Sequence, residues 1–156
     1  MPASHSRLSR RAALALLSTA PLALAGAAEA QAKPPVFSRR GRAINGYDPV
    51  AYFTERKPVK GDARFTHEWN GATWLFASAA NRDRFAADPE AFAPRYGGYC
   101  AYAVSQGYTA KTDPRAWTIY EGRLYLNFSL SVRETWKRDI PGNIRAADRN
   151  WPGVLN

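Results

Sequence analysis

The chain is poor in the side chains that form disulfides or bind soft metals. It contains one cysteine, two histidines and one methionine among 156 residues. A single cysteine cannot close an intramolecular disulfide, so a folded domain has to rely on a hydrophobic core. The five Trp, eight Tyr and seven Phe residues supply enough large apolar surface for that core.

This shortage of donors excludes two common kinds of metal centre. Structural zinc needs four nitrogen or sulfur ligands, and blue copper needs two histidines, a cysteine and a weak axial methionine. Because Met1 and His5 lie in the N-terminal segment, only His67 and Cys100 remain as strong donors beyond it. The chain also lacks a G-x-S-x-G elbow, a P-loop and a dinucleotide fingerprint, so the sequence favours a binding role over an enzyme.

Long apolar runs are also scarce: one N-terminal run permits a membrane anchor, but this segment has the three parts of an export signal. Ser9-Arg10-Arg11 is followed by the apolar run from Ala12 to Ala28 and by small residues suited to cleavage after Ala30 or Ala32. That run, about 17 residues and roughly 26 Å long as a helix, is shorter than a hydrocarbon core of about 30 Å. We predict that residues 1–32 are a cleavable twin-arginine signal. The mature protein is then periplasmic or secreted, with no stable membrane span.

The net charge of +9 is spread along the chain. Lys and Arg alternate with acids and aromatic residues, and no run of five or six basic residues occurs. This pattern is typical of a solvated cationic face and does not predict nucleic-acid binding. The sequence indicates no particular protein partner.

We predict a flexible arm over residues 33–43 and a single α+β domain over residues 44–156. Asn70-Gly71 and Glu121-Gly122 each lie between β-forming segments and predict two hairpins. Ser78 and Asp88 are placed to begin short helices. A stripe made of Phe128, Val132, Trp136 and Ile140 predicts one helix, which Pro141-Gly142 ends, with Asn143 beginning the next. The expected fold is a small antiparallel sheet from two hairpins with several short helices packed on it.

Several motifs occur in a characteristic order: "GYDPVAYF", "WNGATWLFASAANRDRFAADPEAFAPRYGGYCAYAV" and "DPRAWTIYEGRLYLN". Together they resemble the exported YHS-domain proteins of bacteria, the YHS domain-containing (seleno)protein family. In metal-associated members of the wider YHS group, the familiar pattern resembles Asp-Pro-Val-Cys followed by Phe-Cys-Ser-x-x-Cys. It therefore contains one cysteine in the first motif and two in the second. Here Ala51, Ala77 and Asn81 stand at those positions. The three expected sulfur ligands are missing, so that metal site does not carry over.

Cys100 follows the Gly97-Gly98 turn and permits three interpretations. As a ligand, it would join His67 and a carboxylate such as Asp48 in a site for copper or zinc. As a reactive thiol, it would be activated by His67 or by the start of a helix, and the resemblance to selenoproteins agrees with a chalcogen function. As a core residue, it would share a helical face with Ala103, Val104 and Gly107. His67 itself, within a hairpin strand, is also typical of a core-edge residue.

Tyr99 and Tyr102, together with Tyr96, either line a small-ligand pocket or belong to the core. We therefore expect an exported YHS-type binding module for a soft metal ion or a small ligand. The alternatives are a periplasmic thiol-redox protein that uses Cys100 and a structural or interaction module without a ligand.

Overall fold

The computed structural model describes residues 30–156. The predicted export signal, apart from residues 30–32, lies outside this range. Within it are six strands and six α-helices: β1 (Ser38–Arg39), β2 (Arg42–Ala43), α1 (Ala51–Thr54), β3 (Asp62–Trp69), β4 (Ala72–Phe76), α2 (Ala79–Ala87), α3 (Pro89–Phe92), α4 (Ala101–Ser105), β5 (Trp117–Tyr120), β6 (Arg123–Leu126), α5 (Leu130–Lys137) and α6 (Ile140–Asn150).

The strands form two small sheets, which confirms the α+β class. A four-stranded mixed sheet has the order β1-β2-β4-β3, and β5 pairs with β6 alone. The two predicted hairpins therefore lie in separate sheets. The first hairpin instead gains β2, which pairs in parallel with β4 through Arg42 and Thr73.

Both hairpin turns have the backbone that their sequences predict. Asn70 and Gly71 have φ of 50° and 78°, and Glu121 and Gly122 have φ of 48° and 73°. Two successive residues with positive φ match the right-handed twist of the strands they join. The turns thus fix the register of each hairpin.

The helix starts follow side-chain caps. Ser78 Oγ accepts the Asn81 N–H at 3.1 Å, and Asp88 Oδ1 accepts the Ala91 N–H at 3.3 Å, so both predicted starts are confirmed. The break between the last two helices was predicted at the wrong place. The first of them, α5, ends at Lys137, and Asp139 caps α6 in place of Asn143, because Asp139 Oδ1 accepts the Gly142 N–H at 2.9 Å.

Residues 33–43 are held against the domain, which corrects the expectation of a flexible arm. The Lys33 N–H donates to the Leu155 carbonyl at 2.7 Å, and the Phe37 N–H donates to the Gly97 carbonyl at 2.9 Å. Val36 is 1% exposed. These partners are distant in sequence, so the ordered structure begins well before Ile44.

Two hydrophobic clusters meet along β6. Leu124 and Leu126 belong to the first cluster, which includes Trp74 and Phe85, whereas Tyr125 belongs to the second. Alternate residues of a strand face opposite sides, so β6 separates the two clusters. In residues 30–156, no helix combines the length and hydrophobicity that crossing a membrane requires.

Candidate functional site

Cys100 precedes α4 and is 1% exposed. Its Sγ accepts the Phe128 N–H at 3.2 Å and the Ala103 N–H at 3.5 Å, and its thiol donates to Asn127 Oδ1 at 3.5 Å. Burial raises the pKa of the Cys100 thiol, although the backbone N–H donors act in the opposite direction. The geometry is that of a protonated thiol used as a polar link inside the core.

Asn127 is the buried partner of that thiol and was not predicted from the sequence. It is 0% exposed, and its Oδ1 also accepts the Tyr102 N–H at 3.1 Å. Its Nδ2 is buried without a hydrogen-bond partner among residues 30–156. An asparagine directly after the buried residues of β6 is the one local signal that could have indicated this role.

His67 lies in β3 opposite Trp74, half-buried, and its ring meets the edge of the Phe85 ring at 6.1 Å. Among residues 30–156, no hydrogen bond of the Cys100 side chain involves His67. Within residues 30–156 there is no group of three or more His, Cys, Asp or Glu side chains that could hold a metal ion. The structure therefore does not assemble the donor set that the copper or zinc hypothesis requires.

Asp48 is 0% exposed, and both of its carboxylate oxygens are occupied. Oδ1 accepts the N–H groups of Val50 at 2.8 Å and Ala51 at 3.2 Å, at the start of α1. Oδ2 accepts the Ala77 N–H and the Asn81 Nδ2 amide, each at 2.8 Å. With two donors on each oxygen, this carboxylate ties α1 to the junction of β4 and α2.

Three of those four donors belong to residues at the positions where the pattern of the metal-associated YHS members has cysteine. Ala51, Ala77 and Asn81 are far apart in sequence, yet all three contact the carboxylate of Asp48. The fold thus brings these positions together. Two methyl groups and an amide whose nitrogen donates to a carboxylate are not ligands for a soft metal, so the residues present do not fit one there.

The glycine pair before Cys100 meets a steric requirement. A Cβ on Gly97 would lie 1.9 Å from the Pro35 carbonyl oxygen, and one on Gly98 would lie 2.5 Å from Ile44 Cγ2. Both glycines also have positive φ, which other residues rarely adopt. This turn packs the chain against residues 35–44 and fixes the positions of Tyr96 and Tyr99, which flank the glycine pair.

The tyrosines have different surroundings. The Tyr99 hydroxyl donates to the Pro34 carbonyl at 2.9 Å, and Tyr102 is half-buried in α4. The Tyr96 hydroxyl donates to Asp148 Oδ1 at 2.9 Å. Tyr96 lines a groove that is also lined by other aromatic rings.

This groove, which we call the aromatic groove, has a volume of about 270 Å³ and contains residues of both hydrophobic clusters. The half-buried indoles of Trp69 and Trp151 line it, with Arg95 and Arg123 exposed beside them. Its other lining residues are Pro35, Asn70, Trp74, Glu90, Ala93, Pro94, Tyr96 and Gly97. Aromatic walls with a few charged groups are typical of small-ligand sites.

Rings and hydrogen bonds hold the groove in shape. Trp74 Nε1 donates to the Trp69 carbonyl at 3.0 Å, and the two indoles lie 5.9 Å apart. The rings of Tyr96 and Trp151 are 6.0 Å apart. Because each indole contacts another ring, the groove is formed before any ligand arrives.

Fold and site together define a small α+β module with a preformed groove. Residues 50–96 match the family model of the YHS domain, which supports a YHS-type domain in this chain. The matched segment contains Ala51, Ala77, Asn81 and one wall of the aromatic groove, while Cys100 and Asn127 lie beyond it. No curated protein and no solved structure matches the chain.

Proposed function

We propose that the protein is an exported YHS-type module that binds a small organic anion with a flat apolar part in the aromatic groove. The observation that carries this proposal is the combination of the partly exposed Trp69 and Trp151 indoles with Arg95 and Arg123 in one preformed groove. Export is proposed on the basis of the sequence alone.

The two kinds of side chain define the ligand. Partly exposed indoles gain free energy when a flat apolar group covers them, at about 25 cal/mol for each Å² of apolar surface removed from water. Two arginines and one acid, Glu90, line the groove, so its charge favours an anion. A guanidinium also matches the two oxygens of a carboxylate, sulfonate or phosphate.

Arg123 is the better placed of the two arginines. Its Nη1 donates to the Glu90 carbonyl at 3.3 Å, which positions the guanidinium over the groove and leaves other N–H groups to bind a ligand. Arg95 lies 3.7 Å from Asp148 and has its guanidinium 5.9 Å from the centre of the Tyr96 ring. We assign anion recognition to Arg123 first and to Arg95 second.

The test is a fluorescence titration with 1-anilinonaphthalene-8-sulfonate, a flat aromatic sulfonate. The wild type is expected to bind one equivalent saturably. Arg123→Ala is expected to weaken binding about tenfold, the loss of one charge-assisted hydrogen bond. Trp151→Leu is expected to weaken it as well, with the fold checked by circular dichroism.

The matched control is Arg64→Ala, which removes an exposed arginine that pairs with Asp62 at 2.7 Å and does not line the groove. Its affinity for the dye is expected to equal that of the wild type. Equal affinity in Arg123→Ala and in folded Trp151→Leu would overturn the proposal.

Export has its own test. Replacing Arg10 and Arg11 with lysine is expected to leave the precursor in the cytoplasm, because the twin-arginine route requires the arginine pair. Full export of the double variant, measured by fractionation, would reject this route. The periplasmic or secreted location is tested separately on the wild type, which is expected to leave the cytoplasm.

The soft-metal and thiol-redox alternatives stay predictions. A copper or zinc module on Cys100 and His67 requires saturable calorimetric binding that Cys100→Ser and His67→Ala each weaken. A thiol-redox protein requires rapid alkylation of the folded protein by iodoacetamide at pH 6.5. The burial of Cys100 and the absence of a group of three or more donor side chains among residues 30–156 support the groove over both.

A further inference from the structure

The β1–β2 hairpin concentrates three arginines at one point of the surface. Its register places Arg39 directly opposite Arg42, and Arg40 lies in the turn with a φ of 51°. Like charges opposite each other destabilise a pair of strands, and a side chain in the left-handed region carries strain. The hairpin is thus built with unfavourable charge and backbone terms in the free protein.

These charges are not neutralised within the described part of the chain. None of the ion pairs within 4 Å among residues 30–156 involves Arg39, Arg40 or Arg42. All three side chains are exposed. An anion bound between the three guanidinium groups would therefore reduce their mutual repulsion.

The arginines surround a recess and do not simply point away from one another. A cavity of about 400 Å³ is lined by Arg39, Arg40, Arg42 and Asn45. A second recess, of about 420 Å³, shares Arg39 and Asn45 with the first and reaches Lys111. Asp113 also lines this second recess, but its carboxylate accepts two hydrogen bonds from the Arg115 guanidinium, at 2.7 and 3.1 Å.

The backbone beneath the arginines is fixed by hydrogen bonds within the hairpin and by others to distant segments. The Thr73 N–H donates to the Gly41 carbonyl at 3.0 Å, and the Ile44 N–H donates to the Phe37 carbonyl at 3.0 Å. Asn45 Nδ2 donates to the Thr112 carbonyl at 3.0 Å. The three guanidinium groups therefore start from a fixed platform, which lowers the entropy cost of binding a ligand.

We propose that this hairpin, on Arg39, Arg40 and Arg42, binds a ligand that carries two or more phosphate groups. Guanidinium groups pair with phosphate oxygens bidentately, and three of them around one recess exceed what a single monoanion requires. Lys111 extends the positive surface toward a second phosphate. The same chemistry is offered by a soluble diphosphate and by the headgroups of an anionic lipid surface.

The first arm of the test is calorimetric titration with inorganic pyrophosphate at constant ionic strength. The wild type is expected to bind saturably and to melt at a higher temperature in its presence. Arg39→Gln and Arg42→Gln are each expected to weaken binding at least tenfold. Each removes one member of the opposed pair, so both are expected to fold at least as well as the wild type.

Arg64→Gln is the matched control, because Arg64 is exposed, pairs with Asp62 and lines neither recess. Arg123→Ala is expected to keep its pyrophosphate affinity, so this inference and the proposed function can fail separately.

The second arm measures binding to phosphatidylglycerol vesicles, with phosphatidylcholine vesicles for comparison. Hairpin-dependent binding in one arm identifies the source of the phosphate. No binding in either arm, or binding that Arg39→Gln and Arg42→Gln leave unchanged, would overturn the inference.

Discussion

Asp48 and Asn127 are two fully buried polar side chains that join distant segments, and they differ in how completely they are satisfied. Asp48 has two donors on each oxygen, whereas Asn127 accepts through Oδ1 and leaves Nδ2 without a partner in the described residues. Asp48 lies just before the YHS match and receives hydrogen bonds from within it, while Asn127 lies beyond the match. The segment that matches the YHS model is therefore closed around a carboxylate, while the portion around Cys100 retains an unmet hydrogen-bonding group.

The largest effect is expected for Asp48→Ala. It leaves the backbone donors of Val50, Ala51 and Ala77 and the Asn81 amide without their shared acceptor. We expect the free energy of unfolding to fall by about 3–5 kcal/mol, since buried groups without partners are costly. Urea denaturation measures this loss.

The control for that variant is Asp83→Ala, because Asp83 is exposed and its ion pair is with the neighbouring Arg82. The free energy of unfolding of Asp83→Ala is expected to lie within about 0.5 kcal/mol of the wild-type value. If Asp48→Ala were no more destabilising than Asp83→Ala, the carboxylate would not be the tie that its contacts indicate.

A smaller loss is expected for Asn127→Leu. This change removes the acceptor of the Tyr102 N–H and of the Cys100 thiol, but it also removes the unpartnered Nδ2. Because removing the unpartnered amide nitrogen offsets part of the loss, we expect the free energy of unfolding to fall by about 1–2 kcal/mol, less than for Asp48→Ala. A loss equal to that of Asp48→Ala in the same urea series would contradict the difference between the two residues.

The smallest effect concerns the pH dependence given by Cys100. Burial raises the pKa of its thiol, so the folded protein keeps the proton when the unfolded chain has lost it. The stability contribution is present below the ordinary thiol pKa of about 8.5 and is lost as the pH rises above it. Between about pH 8.5 and 10, the wild type should therefore lose more stability than Cys100→Ala. Parallel pH curves for the two proteins would argue against a buried, protonated thiol.

The parts of the fold that could be predicted depend on local chemistry. The Asn70-Gly71 turn and the Ser78 cap each act within a few residues, so the sequence alone indicates them. The order of residues 33–43 depends on Gly97 and Leu155, which no local pattern reveals. Likewise, Asp48 is recognisable as a helix-start residue, but its bond to Ala77 spans 29 positions.

The candidate site was harder to predict for the same reason. Tyr96 was among the predicted ligand-pocket tyrosines, and it does line the aromatic groove. Trp69, Arg123 and Trp151 join it only through the packing of the two hydrophobic clusters. Cys100 drew attention as the single cysteine, yet its partner Asn127 is an ordinary residue in the sequence.

The central claim is that the cysteine positions of the resembled pattern are here closed by hydrogen bonds to Asp48, which leaves ligand binding to the aromatic groove. Zinc titration by calorimetry, on the wild type and on Ala51→Cys/Ala77→Cys/Asn81→Cys, tests it most directly. We predict no stoichiometric binding to the wild type and saturable binding to the triple variant, because the fold already gathers the three positions. Stoichiometric zinc binding by the wild type that is lost in Cys100→Ser and His67→Ala would contradict it.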